Sequence, residues 1–544
     1  MCPQQSARVS PSDSSPQRGS NVDAARESRD IPTLMANAHR TFAALPPAIL
    51  ELGRIFDDAG EQIALVGGPV RDAFLGATPH DLDFATSALP DRTEEILSTW
   101  GSAVWDIGKE FGTIGARRGD ITVEVTTYRT DSYEVGSRKP EVSFGDTLEG
   151  DLTRRDFTVN AMAMRLPAMV LVDPYHGLDD LAESRLRTPV TPTQSFDDDP
   201  LRIMRAARFA AQLEIDVDVD VMDAMEAMAH RLKIVSAERI RAELERLILS
   251  PAPRRGLELM VHTGVADIVL PELSNLVSTV DEHRRHKDVY EHTLTVLEQA
   301  MDLETGPDGP VPAPDFILRF AALMHDIGKP ATRRFEPNGT VSFHHHEMKG
   351  AKMTRSRMKA LKFDKATTEA VSKLVGLHLR FHGYGEATWT DSAVRRYIAD
   401  AGDQLERLHR LTRADCTTRN RRKALMLSSA YDDLEARIDA LRQQEELDAI
   451  RPDLDGDQVM EILGLRPSRA VKMALDHLMT LRMDRGPLGE EAAREELLAW
   501  WASDEVRDVA AEYEAQQARW EVITAAKRAR KQAAKKAREA SQGE

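Results

Sequence analysis

The sequence predicts an α+β unit at the N-terminus, a small mixed sheet flanked by helices, followed by a long all-α remainder. Three observations carry this. Short β-branched, turn-bounded runs such as "IALVGG", "DLDFAT", "FGTIGAR", "ITVEVTTYR" and "AMAMRL" are confined to the early part of the chain. From "DPLRIMRAARFAAQL" onward nearly every segment repeats with helical period. The chain has 544 residues, more than one core usually organises, so about three or four packed units are expected.

Taken in order, residues 1–35 are rich in Ser, Pro, Arg and Asp and hold no apolar core segment, which predicts a disordered extension and not a signal peptide. Residues 36–180 contain the strand runs, with helical stretches such as "DRTEEILSTW" between them, and form the α+β head. Residues 181–275, with "AERIRAELERLILS", read as a helical neck. Residues 276–425 include the apolar helix "DFILRFAALMHDIGK" and a Pro/Gly loop, Asp302 to Asp315. A further helical unit follows over 426–510, ending in "EEAAREELLAWW", and 511–544 is a basic helical tail. There is no internal repeat.

Composition narrows the function. The two cysteines, Cys2 and Cys416, offer no disulfide framework, which suits a reducing compartment and a cytoplasmic location. No run of about 18 apolar residues is present, so no membrane span is expected. The formal charge of −17 opposes phosphate binding, so contacts to any nucleic acid must come from local basic patches.

The stretch "LVGGPVRDAFLGATPHDLDFAT", Leu65 to Thr86, concentrates chemistry. Asp81 and Asp83 stand at i and i+2 of a strand, so both carboxylates leave the same face and suit shared divalent ions. Mg²⁺ takes such oxygens together with substrate phosphates. Gly67 and Gly68 let a phosphate approach the backbone, Pro69 suits the first helical position, and Arg71 adds a guanidinium. Glu124, mid-strand in "VEVTTYR", is a third carboxylate. The set suits two-metal nucleotidyl transfer. Taken singly, a same-face aspartate pair or a double glycine is more often a surface feature or a turn; their combination within twenty residues is what points to a site.

The stretch resembles the head of the bacterial class II tRNA nucleotidyltransferase and poly(A) polymerase family, within the polymerase-β-like superfamily. "DLTRRDFTVNAMA", Asp151 to Ala163, looks like the family's ribose- and nucleotide-contacting segment, which implies roles for Arg154, Arg155, Asp156 and Asn160. "DDDPLRIMRAARFA", Asp197 to Ala210, looks like its nucleotide-selecting helix, although the usual Glu-Asp start is Asp198-Asp199 here. "VSAERIRAELERLIL" also recurs. Read from the residues, Asp199, Arg202, Arg205 and Arg208 fall at i+3 steps and predict one polar stripe on a helix. Cytosine and adenine share an amino donor beside a ring acceptor, which a carboxylate next to a guanidinium matches; uracil and guanine oppose it.

Poly(A) polymerases of this family carry a Gly-Arg-Arg-Phe-type element where this chain reads "IGKEFGTIGA", and "DSYEVGSRKPEVSF", Asp131 to Phe144, occupies the place of the loop needed to add a terminal A. The resemblance therefore implies template-independent addition of CCA to the tRNA 3′ end from CTP and ATP. It also implies two Mg²⁺ ions held by Asp81 and Asp83, with Glu124 assisting the attacking hydroxyl. Downstream, His292, His325, Asp326, His346, His378 and Asp415 follow the order of an HD-domain metal site, with His344 and His345 as neighbours of the third ligand. A second divalent metal of unknown identity and a phosphohydrolase side activity are implied there. Arg451 to Trp501 looks like the family's C-terminal tRNA-binding part, where Arg466, Arg469 and Lys472, with "TRNRRKA" (418–424), supply local basic charge. The expected partners are tRNA, ATP and CTP, with no membrane and no DNA. Two alternatives stay open: a poly(A) polymerase or CC-adding enzyme, and an HD phosphohydrolase or RNA-binding protein with an inactive head.

Overall fold

The structure, a computed structural model, describes residues 29–79, 82–132, 141–145, 147–277, 289–337, 340–384, 389–418, 420–445, 451–503 and 506. The chain divides into two compact units: residues 1–301 with 313–369, and 302–312 with 370–544. The span 276–425, read from the sequence as one domain, contributes residues to both units.

The first unit begins inside the segment read as a disordered extension. A helix runs Ile31–Ala43, capped by the Asp30 side chain on the Thr33 N–H, and it buries Leu34, Ala38 and Phe42 at i+4 steps. Residues 31–35, read from the sequence as part of that extension, are therefore helical and carry the start of this helix's apolar face. Residues 1–28, like the tail from 507, lie outside the described residues.

The head is built on a seven-stranded mixed sheet. Its strands are β1 (Ile63–Val66), β2 (Leu82–Thr86), β3 (Ala103–Trp105), β4 (Thr113–Arg118), β5 (Ile121–Thr127), β8 (Ala163–Leu166) and β9 (Val170–Val172), in the order β3-β4-β5-β2-β1-β8-β9. β6 (Arg129–Ser132) and β7 (Glu141–Phe144) form a separate antiparallel pair, which is the stem of the segment read as the terminal-A loop; residues 133–140 lie outside the described residues. Every strand run quoted from the sequence is present. β3 and β9 escaped notice because three residues are too few to show an alternation. β2 and β5 are parallel, and β1 is antiparallel to both β2 and β8. Phe56, Phe74, Phe84, Tyr128 and Phe157 are fully buried around this sheet.

The neck centres on the helix Leu201–Leu213, which is buried over most of its length. Helices Ala237–Ile248 and Pro253–His262 pack against it. Gly256 permits this approach, since a Cβ there would stand 2.5 Å from the Ala207 carbonyl oxygen. The same unit continues through helices Val289–Asp302, Phe316–Met324 and His346–Ala360.

The second unit contains the 25-residue helix Arg421–Glu445 and a small helical core. Helices Gly456–Leu463, Arg469–Arg485 and Glu490–Trp501 bury Val459, Ala474, Leu478 and Leu497 between them, and Asp455 with Gln458 closes a capping box on the first. Among the described residues, no helix is long and apolar enough to cross a membrane.

Candidate functional site

Strand pairing brings the head's candidate residues to one end of the sheet. Leu65 on β1 faces Phe84 on β2, and Val66 faces Ala163 on β8, so the end of β1 meets the starts of β2 and β8. Asp83 on β2 is in register with Glu124 on the parallel strand β5. Both are exposed, while Phe84, Val123 and Val125 beside them are buried. The two carboxylates therefore occupy one wet face over an apolar floor, as the alternation of each strand requires. Asp81 lies outside the described residues.

The turn after β1 shows why it is glycine. Gly67 takes φ 75°, and a Cβ on it would stand 2.7 Å from Arg155 Nη1. Its N–H donates to the Met162 carbonyl at 3.1 Å, tying this turn to the approach of β8. Gly68 opens the short helix Gly68–Phe74, with Pro69 in its first turn. Arg71 does not face solvent: its Nη1 donates to Asn160 Oδ1 at 2.6 Å, its Nε and Nη2 reach Asp72 at 2.8 and 2.7 Å, and it lies over the Phe209 ring.

Behind this end sits a dense network of opposite charges. Buried Asp151 holds Arg154 through two hydrogen bonds and Arg155 at 3.3 Å. Asp156 Oδ1 accepts from the Phe157 N–H at 2.8 Å and from Asn160 Nδ2 at 3.0 Å, while its Oδ2 accepts from Arg205. Burial alone would push the Asp156 carboxyl up. The Arg205 guanidinium, the Asn160 amide and more distant Arg202 outweigh it and hold the group down to about 2. Asp151 is likewise lowered against its burial by Arg155 and Arg154. Asn160 thus links the Arg71 and Arg205 guanidiniums through one chain of hydrogen bonds, so the glycine turn, the β8 approach and the neck helix are positioned together.

The segment read from the sequence as nucleotide-selecting departs from the expected single stripe. One helix, Pro192–Asp198, ends before Asp199, and the next begins at Leu201, leaving Asp199 extended at φ −140°, ψ 100°. Pro200 is the cause, because the residue before a proline is driven out of the helical region. Asp199 Oδ1 accepts from the Leu201 N–H at 3.1 Å, and its Oδ2 pairs with Arg239 at 2.8 Å. Arg202 is buried and donates to Ser195 Oγ at 2.8 Å and to the Arg154 carbonyl. Arg208 donates to Glu243 Oε2 at 2.5 Å and lies 3.8 Å from the Phe209 ring centre. Glu243 also reaches Arg205 at 3.5 Å.

Sequence reasoning assigned no role to Arg239, Glu243, Ser195 or Phe209. Arg239 and Glu243 are four residues apart in "VSAERIRAELERLIL", a spacing that places both on one helix face. A buried glutamate in a helix facing several unmatched arginines was the available signal.

A second centre lies in the same unit. His325 and Asp326 follow the apolar helix Phe316–Met324, and His346 starts the helix His346–Ala360. Around the Asp326 carboxylate, His325 Nε2 is 3.2 Å from Oδ2, His292 Nε2 is 3.5 Å from Oδ2 and His346 Nε2 is 3.3 Å from Oδ1. His325 and His346 hold Nδ1 against the carbonyls of Ala322 and Phe343 at 2.7 and 2.9 Å, which turns Nε2 of each ring inward, toward the Asp326 carboxylate. His292 Nε2 and His325 Nε2 stand 3.4 Å apart. Converging imidazole nitrogens beside a carboxylate fit a divalent transition ion. Lys329 Nζ lies 2.8 Å from Asp326 Oδ2. Burial would raise Asp326, but the charges of His325 and Lys329, with hydrogen bonds from His325 and His346, hold it well below the usual carboxylate range.

His378 and Asp415 belong to the second unit. His378 is buried and holds its Nδ1 against the Val375 carbonyl at 2.7 Å, the same arrangement as His325 and His346. Asp415 ends the helix Leu405–Ala414. Arg421, Arg422, Lys423, Arg466, Arg469 and Lys472 are all exposed.

The sequence matches three family models: "Poly A polymerase head domain" over residues 63–187, "Probable RNA and SrmB- binding site of polymerase A" over 215–276, and "HD domain" over 289–420. It is 32% identical to the A-adding tRNA nucleotidyltransferase of Deinococcus radiodurans over 457 residues, 81% of this chain and 96% of that one. It is 42% identical to the CCA-adding enzyme of Streptococcus gordonii over 216 residues, 40% of this chain and 53% of the relative, so the match spans about half of that enzyme. The fold is similar to that of the Bacillus stearothermophilus CCA-adding enzyme in complex with CTP, at TM-score 0.60 and 24% identity, covering 85% of this chain and 99% of the other.

Proposed function

Because the chain belongs to the tRNA nucleotidyltransferase family, we propose that it adds CCA to the 3′ end of tRNA from CTP and ATP without a nucleic-acid template. The observation that carries the reading is the convergence at one sheet end: Asp83 beside Glu124, the Gly67 turn, and the Asn160–Asp156–Arg205 chain leading to the selecting segment. The tRNA 3′-hydroxyl attacks the α-phosphate and pyrophosphate leaves. Asp83, with Asp81, would hold Mg²⁺, since exposed carboxylates over an apolar floor match its preference for oxygen ligands. When bound, the ions lower the charge on the attacking and leaving oxygens. Glu124 accepts the proton of the attacking hydroxyl, and Arg155, packed against the Gly67 turn, faces the triphosphate. Asp199 and Arg202 read the base.

A second reading is supported by the Deinococcus relative, an A-adding tRNA nucleotidyltransferase that matches over 96% of its length. The streptococcal CCA-adding enzymes are more identical, over a shorter alignment. One experiment separates the readings. tRNA ending before CCA, and tRNA ending in CC, are each incubated with a mixture of CTP, ATP, UTP and GTP, one of them labelled in turn, and the products are sequenced. CCA on the first substrate is the expected result. Extension of the CC-ended tRNA alone identifies an A-adding enzyme, long A tails a polymerase, and no incorporation an inactive head.

The His292, His325, Asp326 and His346 group would bind a divalent metal and support phosphoester hydrolysis, a chemistry separate from the head's. His325→Ala combined with Asp326→Ala is expected to abolish metal-dependent phosphoesterase activity and to leave nucleotide addition unchanged. Assays of both activities on the folded variant check this. Loss of addition there makes the HD group part of tRNA synthesis and overturns the separation.

A further inference from the structure

The charge of −17 leaves open where this protein holds an RNA backbone, and residues 333–362 run against that charge. They contain eight Lys and Arg against two Glu. The helix His346–Ala360 is divided into two faces. His346, Gly350, Thr354 and Met358 are buried at i+4 steps. The buried face is pressed in closely, for a Cβ on Gly328 would stand 2.1 Å from the His346 carbonyl oxygen and 2.8 Å from the Gly350 nitrogen. The opposite face carries exposed Lys349, Lys352, Ser356 and Lys359, at steps of three, four and three, with Met348 62% exposed beside them.

Within the described residues these lysines make no close ion pair; Lys359 acts on Glu369 only at longer range, while Arg355 engages that carboxylate directly. Arg355 and Arg357 on the same helix are engaged by Glu369 and Glu272. Among the described residues, no carboxylate makes an ion pair with Lys349, Lys352 or Lys359. Ten residues of helix span about 15 Å, so the three ammonium groups form a row along a line and not a point cluster. A row of unpaired lysines suits a linear polyanion. Just before the helix, on the hairpin formed by Arg334–Phe335 and Val341–Ser342, Phe335 is 77% exposed with the Arg333 guanidinium 5.6 Å from its ring centre. An open aromatic face beside arginine is what stacks an unpaired base.

We propose that Lys349, Lys352 and Lys359 form an RNA-docking face that holds the phosphate backbone of the tRNA substrate, with Phe335 as an adjacent base-stacking platform. The proposal rests on the tRNA reading above and adds to it a surface outside the head and outside the C-terminal helices. A membrane suits this face poorly, because Met348 and Phe335 are its only large exposed apolar side chains among the described residues, too small an area to insert.

The test is binding of fluorescently labelled tRNA lacking CCA to the full chain, read by anisotropy across a salt series. The triple variant Lys349→Gln, Lys352→Gln, Lys359→Gln changes only exposed side chains. It is expected to bind about tenfold more weakly, or worse, at low salt, and to flatten the log Kd against log salt slope by about one per lysine. In addition assays its tRNA KM rises with kcat unchanged. The corresponding triple Lys→Arg variant keeps wild-type affinity. Phe335→Ala weakens binding without altering the slope. Wild-type affinity and slope in the glutamine triple overturn the docking face alone; failure of the unsubstituted protein to bind tRNA overturns it together with the tRNA reading.

Discussion

Asp83→Ala is expected to lower nucleotide addition by on the order of 10³-fold or more at saturating Mg²⁺, with the fold and tRNA affinity retained. Removing one carboxylate from a two-ion site forfeits several kcal/mol of stabilisation on the developing charges, and each 1.36 kcal/mol is about tenfold in rate. Asp83 suits the test because it stands exposed at the start of β2 while Phe84, Ala85 and Thr86 behind it carry the packing. The substitution therefore removes a carboxylate without opening a cavity. Asp81→Ala is expected to behave alike, from the same-face spacing of the two aspartates in the sequence. Single-turnover incorporation on tRNA lacking its 3′ end gives the rate, and circular dichroism with tRNA binding gives the controls. Near-normal incorporation in either variant would remove the two-ion assignment.

Much of this site was legible because it depends on local periodicity. Alternation put Asp83 on one face of a strand with Asp81, and Glu124 was placed mid-strand; strand pairing then set Asp83 and Glu124 side by side. The order of His325, Asp326 and His346 along the chain was enough to group them. What stayed hidden was the choice of partner. Arg71 read as a phosphate contact because it follows the glycine turn, yet its guanidinium turns inward to Asn160, far along the chain. Arg202, Arg205 and Arg208 share a helix but reach Ser195, Asp156 and Glu243 respectively. Those pairings are set by tertiary packing, and no spacing rule within one helix reports them. The break at Asp199 was readable in principle from Pro200, since proline acts on the residue before it, and the helical stripe was extended one position too far across it.

Base choice gives the second large effect, and the geometry of Asp199 decides how it is tested. Both of its oxygens already accept hydrogen bonds, from the Leu201 N–H and from Arg239. A carboxylate has about four lone-pair sites, so it retains capacity for the amino group of cytosine or adenine while those contacts persist. A buried polar site built for one pattern rejects the opposed pattern by factors on the order of 10⁴. Asp199→Ala is therefore expected to lower kcat/KM for CTP and ATP and to shrink most of that advantage over UTP and GTP. Residual addition should persist, because Asp83 and Glu124 lie on separate strands of the sheet. Asp199→Asn sharpens the reading: it keeps one acceptor for the Leu201 N–H but replaces the other oxygen with a donor, which opposes an amino group and accommodates a carbonyl. Arg202→Ala, by contrast, is expected to weaken CTP and ATP alike, since its guanidinium also fixes Ser195 and the Arg154 carbonyl. The measurement is competition among all four nucleotides on one tRNA, with products sequenced. Wild-type discrimination in Asp199→Ala would place base selection on other residues.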